Sequence, residues 1–275
     1  MIHGKEVFNL PEGPECTIVA NSLNEIAKDK TLTNITPISG RYLRNPIANL
    51  DKLKGAEILG VCNKGKFIYW VLDNGFYLFS TLGMSGIYSL TRTPYTRVVF
   101  LLDNSLEVCY NDVRNFGTMK VAEQADLDKK LKELGPDMLN DPCDYNEFVK
   151  IINKNSKMVL GIFLMNQKKV SGVGNIYKAE ACYLAGINPS RTLCSLSDSE
   201  LRLLYRSIIE VLQIAFDLKG SSQKDFKDIE GNPGAFLEDY AKVYRKKADI
   251  YGNEVLSTVL LGDDRTTWWC PNVQK

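Results

Sequence analysis

The chain has few of the features that send a protein to or through a membrane. No apolar run approaches the roughly 18 residues of a membrane span. Residues 1 to 10, MIHGKEVFNL, hold no apolar core segment and no small-residue cleavage site, so no secretory signal is read there. The seven cysteines recur at no repeated spacing. An odd number of thiols without a signal points to a reducing, intracellular compartment, cytoplasm or nucleus. Bulk charge of one sign is missing as well. Against 34 Lys and Arg stand 33 Asp and Glu, a net charge of +1, so total charge announces no nucleic-acid partner. Internal repeats and low-complexity tracts are absent.

What remains is a globular composition, 44% hydrophobic and 24% charged, in 275 residues. That length suffices for two ordinary domains. Charge is unevenly placed. Between Val149 and Ala179 lie Lys150, Lys154, Lys157, Lys168, Lys169 and Lys178 with no acid among them. Such a stretch suits phosphates, and it equally suits a solvated helix face.

Periodicity divides the chain. After Pro14, the residues Ile18, Val19, Leu23, Ile26 and Ala27 recur at helical spacing. From Gly55 to about Ala122 the sequence is rich in β-branched and aromatic residues, with turn signals at Asp73-Asn74-Gly75 and near Asp103-Asn104-Ser105. Short antiparallel strands of this kind predict a sandwich or barrel. The stretch LGPDMLNDPCDY, 134 to 145, is polar and rich in breakers and reads as a linker. Helical patterns follow, one with a capping box at Ser197 and Glu200. Residues 219 to 236 read as a loop, and the tail reads as a β-hairpin.

Three features bear on chemistry. In NLPEGPE, two prolines three apart each precede an acid. Taken alone, a Pro-Glu pair is a helix start. In GVGNIYKAE, 172 to 180, two glycines and an Asn open a helix, a geometry whose N–H groups accept a phosphate or simply close a tight turn. The third feature is order: PEGPE, KGKF (64 to 67), LGMSG (82 to 86), DVRNFG (112 to 117), GVGNIYKAE and DRTTWWCPNVQ follow one another along the chain. Together these motifs resemble the formamidopyrimidine-DNA glycosylase/endonuclease VIII family over nearly the whole chain from Pro11. PEGPE is more similar to the endonuclease VIII (Nei-like) branch than to the formamidopyrimidine branch, which typically reads PELPE.

The resemblance implies an α+β fold: an antiparallel β-sandwich with flanking helices, a helix–two-turn–helix domain and a terminal β-hairpin finger. The expected division is an extension at 1–10, a catalytic sandwich at 11–140, the helical DNA-binding domain at 141–240 and the finger at 241–275. It further implies a monomeric base-excision-repair enzyme acting on damaged DNA, a bifunctional glycosylase and abasic-site lyase for oxidised bases, with pyrimidines expected. In the family an amino-terminal proline attacks the sugar C1′ and forms an iminium, and Pro11 is the matching residue. Glu12 would move protons at the sugar. Lys66 matches the lysine that contacts phosphate and assists protonation, with Lys64 as its neighbour alternative. Met84, Arg114 and Phe116 match the side chains that fill the helix once the base leaves, although spacing alone fits core packing for Met84 and Phe116. Lys157, Asn175 and Arg265 would hold the backbone beside the lesion, Arg265 also assisting δ-elimination.

Two departures accompany the resemblance. Thr81 stands where many relatives carry His. The finger has Cys270 alone where zinc-bearing relatives have two Cys-x-x-Cys pairs, so no metal or other cofactor is expected, and Trp268, Trp269 and Val259 are expected to hold the hairpin by packing. A difficulty also follows. Pro11 inside a chain is a tertiary amide with no basic nitrogen. An active enzyme therefore requires that residues 1 to 10 be removed, or that translation start at codon 10. If they stay, a non-catalytic lesion-binding protein is the alternative, and an RNA- or ribosome-associated module is a third reading that leaves PEGPE unexplained.

Overall fold

The computed structural model describes residues 11–221 and 226–275. Residues 1 to 10, where the expected extension lies, fall outside the described residues. Helix α1 (Gly13–Ala27) begins directly after Glu12. Pro14 sits in its first turn, where a missing N–H is no loss, and the Glu15 carboxylate accepts the Glu12 N–H at 2.9 Å. The helical spacing of Val19, Leu23 and Ala27 gives α1 one fully buried apolar stripe.

Two four-stranded antiparallel sheets follow. One has the order β1 (Leu32–Pro37), β6 (Thr96–Leu102), β7 (Glu107–Asp112), β5 (Gly86–Ser89). The other has the order β2 (Ile58–Lys64), β3 (Phe67–Leu72), β4 (Phe76–Thr81), β8 (Thr118–Glu123). Asn74 and Gly75, the latter at φ +81°, turn β3 into β4, and Ser105 at φ +64° turns β6 into β7. Alternation decides which side chains meet. Ile68, Trp70 and Leu72 of β3 are buried, and Trp70 stacks on Phe100 of β6 with ring centroids 5.1 Å apart. Burial of these apolar faces between the sheets is the main favourable term for this half.

Short helices α2 (Arg41–Arg44) and α3 (Gln124–Glu133) flank the sandwich. The helical half comprises α4 (Tyr145–Lys154), α5 (Leu160–Met165), α6 (Asn175–Leu184), α7 (Asp198–Asp217) and α8 (Phe236–Asp239) around buried Phe148, Phe163, Leu204 and Phe236. Ser197 and Glu200 form the expected capping box at the start of α7. Strands β9 (Leu256–Val259) and β10 (Thr266–Trp269) make the terminal hairpin.

Residues 134–145 do not behave as a free linker. Met138 is fully buried. Asp137 accepts the Gly65 N–H at 2.7 Å, and Pro136 accepts the Ser171 N–H at 2.9 Å. The polar residues that read as solvated instead satisfy backbone donors where the two halves meet. The 219–236 segment, apart from the undescribed 222–225, also docks: Phe226 and Ile229 belong to the sandwich core.

Candidate active site

Glu12 lies at the centre of the junction and is 1% exposed. Its Oε1 accepts the N–H of Ile176 at 3.0 Å and its Oε2 that of Tyr177 at 3.4 Å. The catalytic candidate from one end of the chain therefore caps α6 of the other half. The N–H groups that the sequence offers to a phosphate are occupied by this carboxylate, because the GVGN turn delivers the positive end of α6 to Glu12. Burial raises the Glu12 pKa. The Lys66 ammonium and the two N–H groups act against that rise, and the Glu15 charge adds to it.

Close approach explains the glycine of the turn. A Cβ at Gly174 would lie 2.2 Å from the Glu12 Cδ and 2.4 Å from the Lys66 Nζ. The same pressure acts at Gly13, the middle residue of PEGPE, where a Cβ would sit 2.7 Å from the Cα of Gly172. Gly13 N–H donates to the Gly172 carbonyl at 2.8 Å, so the two backbones touch directly.

A cavity of about 340 Å3 opens beside this junction. Pro11, Lys66, Met84 and Arg265 line it together with Cys16, Thr81, Leu82 and Gly83. Four of the sequence-predicted residues, drawn from residue 11 to residue 265, thus share one chamber. Lys64 does not join them, because its ammonium donates to the Leu131 carbonyl at 3.2 Å. Lys66 is the lysine in reach of Glu12.

Two loops rise at the rim. Phe116 is 57% exposed, so core packing does not account for it. Met84 is half-buried, with its sulfur 3.6 Å from an Arg114 guanidinium nitrogen. The buried Asp112 carboxylate binds both loops: it accepts from the Ser85 hydroxyl at 2.5 Å and from the Gly117 N–H at 2.8 Å. Ser85 Oγ in turn accepts the Arg114 N–H at 2.8 Å. One carboxylate thereby sets the separation of Met84 from Arg114 and Phe116.

The finger reaches the cavity through the exposed Arg265. Asn175 is 9% exposed and its amide donates to the Thr266 carbonyl at 2.9 Å, so it grips the finger. Lys157 is exposed in the turn between α4 and α5, apart from the cavity lining. Lys178 is fully buried, which removes it from any phosphate-tracking face.

Packing holds the hairpin only in part as expected. Trp268 meets Tyr244 edge to face at 4.7 Å, and Trp269 donates to the Thr258 hydroxyl at 3.3 Å. Val259 is 59% exposed, and the adjacent Leu260, 4% exposed, is the residue of this pair that is buried. At the hairpin base, Cys270 Sγ lies 3.7 Å from Asp249 Oδ2. That carboxylate accepts from Tyr183, from the N–H groups of Tyr251 and Asn253, and from the Asn253 amide. Burial works against its ionisation, yet the Asn253 and Tyr251 donors hold the Asp249 carboxyl at about 2. One thiol and one saturated carboxylate do not make a four-ligand zinc set. Among the described residues no three His, Cys, Asp or Glu side chains gather as metal ligands.

Several supporting residues are not evident from the sequence. Tyr177 donates to Glu15, which itself holds the Glu12 N–H. Glu180, 1% exposed, accepts the N–H groups of Lys242, Val243 and Tyr244 and so fixes the entry to the finger. The one available signal was spacing: Glu15 stands three residues after Glu12, one helical turn on. Asp137 and Glu180 act across the chain and leave no local pattern.

Comparison with known proteins agrees with this geometry. The formamidopyrimidine-DNA glycosylase N-terminal, H2TH and C-terminal domain models match residues 10–119, 134–227 and 238–275. The chain is 32% identical to the formamidopyrimidine-DNA glycosylase of Geobacillus kaustophilus over 97% of this chain and 100% of that protein. It is equally 32% identical to that of Thermus thermophilus, over 96% and 98%. The crystal structure of the MutM (Fpg) protein from Thermus thermophilus superposes with a TM-score of 0.85 at 30% identity, covering 96% of this chain and 98% of that one. Lactococcus lactis Fpg in complex with DNA containing an abasic site superposes with a TM-score of 0.82 at 27% identity, over 96% and 99%. With the three domain models in sequence order and a full-length relative at this identity, the chain belongs to the formamidopyrimidine-DNA glycosylase family, DNA glycosylases of base excision repair.

Proposed function

We propose that this chain excises oxidised bases from DNA and cleaves the resulting abasic site through a Schiff base at Pro11. The observation that carries the reading is that Pro11, Lys66, Met84 and Arg265 line one cavity, with the buried Glu12 next to Pro11 in the chain and capping α6 beside it. A base in a duplex must leave the stack to be reached. Once it is extruded, the secondary amine of an amino-terminal proline attacks C1′ and the base departs with a proton; the C1′–O4′ bond then opens, O4′ taking the proton lost by the amine, and leaves an iminium at C1′. The iminium is an electron sink that acidifies the C2′ proton. Loss of that proton expels the 3′ phosphate, and a further elimination expels the 5′ phosphate. Glu12, whose pKa burial raises, is suited to donate and recover protons at the sugar. Lys66 supplies the neighbouring positive charge. Arg265 and Lys157 present cations to the backbone, while Met84, Arg114 and Phe116 occupy the vacated stack. Asn175 acts at one remove, through the Thr266 carbonyl.

The amine must be free for this chemistry, so the working form begins at Pro11. The N-terminal domain model matching from residue 10 supports that start. The packing of Gly13 on Gly172 supports the Nei-like branch, because a leucine at 13 has no room there. The one-thiol hairpin supports a zincless finger. An oxidised-pyrimidine preference follows from that branch, whereas the relatives named above carry the formamidopyrimidine name. We further take the protein to be a monomer in a reducing intracellular compartment, divided at about residues 140 and 240; its cysteines are unpaired and no described helix is long and apolar enough to cross a membrane.

Borohydride trapping tests the reading. The chain starting at Pro11 is expected to crosslink to duplexes carrying oxidised pyrimidines or an abasic site, and the chain starting at Met1 is not. No adduct from the Pro11 form on any lesion would leave a non-catalytic lesion-binding protein in its place.

A further inference from the structure

We propose that Lys178 is a positioning residue for Arg265: a buried ammonium on α6 that fixes the β9–β10 turn and thereby the finger's grip on DNA. The side chain is fully buried, and its Nζ donates to the Thr267 hydroxyl at 2.7 Å. The Asp263 carboxylate in the turn stands 3.8 Å from the same Nζ. Asp263 Oδ1 accepts the Arg265 N–H at 3.1 Å. A three-residue path therefore runs from helix to turn to arginine.

The charges require one another. Asp263 Oδ2 is buried and accepts no hydrogen bond from the described residues, so Lys178 supplies its balancing charge. A buried lysine without that carboxylate would be disfavoured as a cation, and a buried carboxylate without the lysine would be disfavoured as an anion. Burial lowers the Lys178 pKa, and Asp263 is the largest influence restoring the charged form.

Placement gives the pair its consequence. Ile176 and Tyr177 of α6 hold Glu12, while Asn175 and Lys178 of the same helix hold Thr266, Thr267 and Asp263. The first turn of one helix thus registers residues 12 and 265 against each other. In a finger with a single thiol, this buried pair performs the anchoring that cross-linking by a metal would otherwise supply.

The inference rests on the reading that Arg265 grips the backbone, and the test separates the two. In the Pro11-starting chain, Lys178→Met keeps the stem and removes the charge. Binding to a duplex with a tetrahydrofuran abasic analogue is measured against salt, beside Arg265→Ala and the double variant. Loss of one phosphate contact flattens the log-affinity against log-salt slope by about one and weakens binding about tenfold at low salt. Lys178→Met is expected to reproduce both effects of Arg265→Ala, and the double variant to be no weaker than Arg265→Ala alone. Parental affinity and slope in Lys178→Met, with Arg265→Ala impaired, would overturn the positioning role and leave the Arg265 reading intact. Additive losses would equally overturn it, since they mean that Lys178 acts elsewhere. An unaffected Arg265→Ala would overturn both. If Lys178→Met alone does not fold, Lys178→Met with Asp263→Asn removes both charges at once. Parental binding in that folded variant would overturn the proposal, and a flattened slope would support it.

Discussion

The Ile176 N–H donates to Glu12 Oε1 at 3.0 Å, a bond between residues 164 apart in sequence. It makes one carboxylate both a structural cap and, in the proposed reaction, the acid for base departure. A glutamine at 12 keeps an oxygen for Ile176 and loses the proton. Glu12→Gln is therefore expected to retain the fold and to slow base release by about 10²–10⁴-fold. Cleavage of a ready-made abasic site should suffer less. Single-turnover rates on the two substrates check this; equal losses would count against Glu12 as the acid for base departure.

The same group links activity to stability. Burial raises the Glu12 pKa in the folded protein. A carboxyl so shifted contributes stability in full below its unfolded pKa, near 4.3, and that contribution is lost as pH rises through the raised folded value. At pH 7 its ionisation opposes folding. Glu12→Gln should accordingly melt higher than the parent at pH 7 and lose that advantage near pH 4. Thermal unfolding across this range is the measurement, and a lower melting temperature at pH 7 would contradict the buried-charge account.

Glu15 provides a separate handle. Its charge raises the Glu12 pKa. Glu15→Gln preserves an oxygen for the Glu12 N–H and removes that charge. The Glu12-dependent limb of the pH–rate profile should move to lower pH, as should the Glu12 carboxyl titration followed by carbon NMR. Movement to higher pH would show that Glu15 acts on Glu12 by geometry rather than by charge.

Much of the architecture was readable from local pattern. Asn74-Gly75 and the alternation of Ile68, Trp70 and Leu72 specify their hairpin because turn geometry and the two-residue period are local properties. Ser197 and Glu200 cap α7 for the same reason. What stayed hidden depends on distance in sequence. Lys178 reads as one of six lysines on a polar face, and only the arrival of Asp263 and Thr267 makes it internal. Asp137 reads as linker until Gly65 meets it. The GVGN turn advertises free N–H groups, and Glu12 takes them from the opposite end of the chain. Val259 and Leu260 are adjacent and both apolar, and the approach of Leu260 to Gly161, far away in the chain, is what separates the buried one from the exposed one.

Phe116 offers a test of function without a stability penalty. It is 57% exposed, on a loop set by Asp112. A ring held out to solvent contributes little to folding, and an apolar wedge contributes on binding by replacing lost stacking. Phe116→Ala should leave the melting temperature unchanged and weaken binding to an abasic-analogue duplex more than binding to undamaged duplex. Equal weakening on both would place Phe116 in general backbone contact instead.

Gly13 tests the branch reading through packing. A Cβ there would lie 2.7 Å from the Gly172 Cα and 2.9 Å from its carbonyl oxygen, both backbone atoms that do not rotate away. Gly13→Ala therefore forces the sandwich and the helical half apart by several tenths of an ångström, at a cost of about 1–3 kcal/mol. The displacement falls between Glu12 and the α6 N–H groups that it caps, so base release should decline together with stability. Gly13→Leu, which restores the PELPE pattern, should be worse on both counts. Denaturant unfolding and single-turnover kinetics on the pair decide the matter: if leucine is accepted at no loss, the glycine at 13 is not required by the contact with Gly172, and its support for the Nei-like branch disappears.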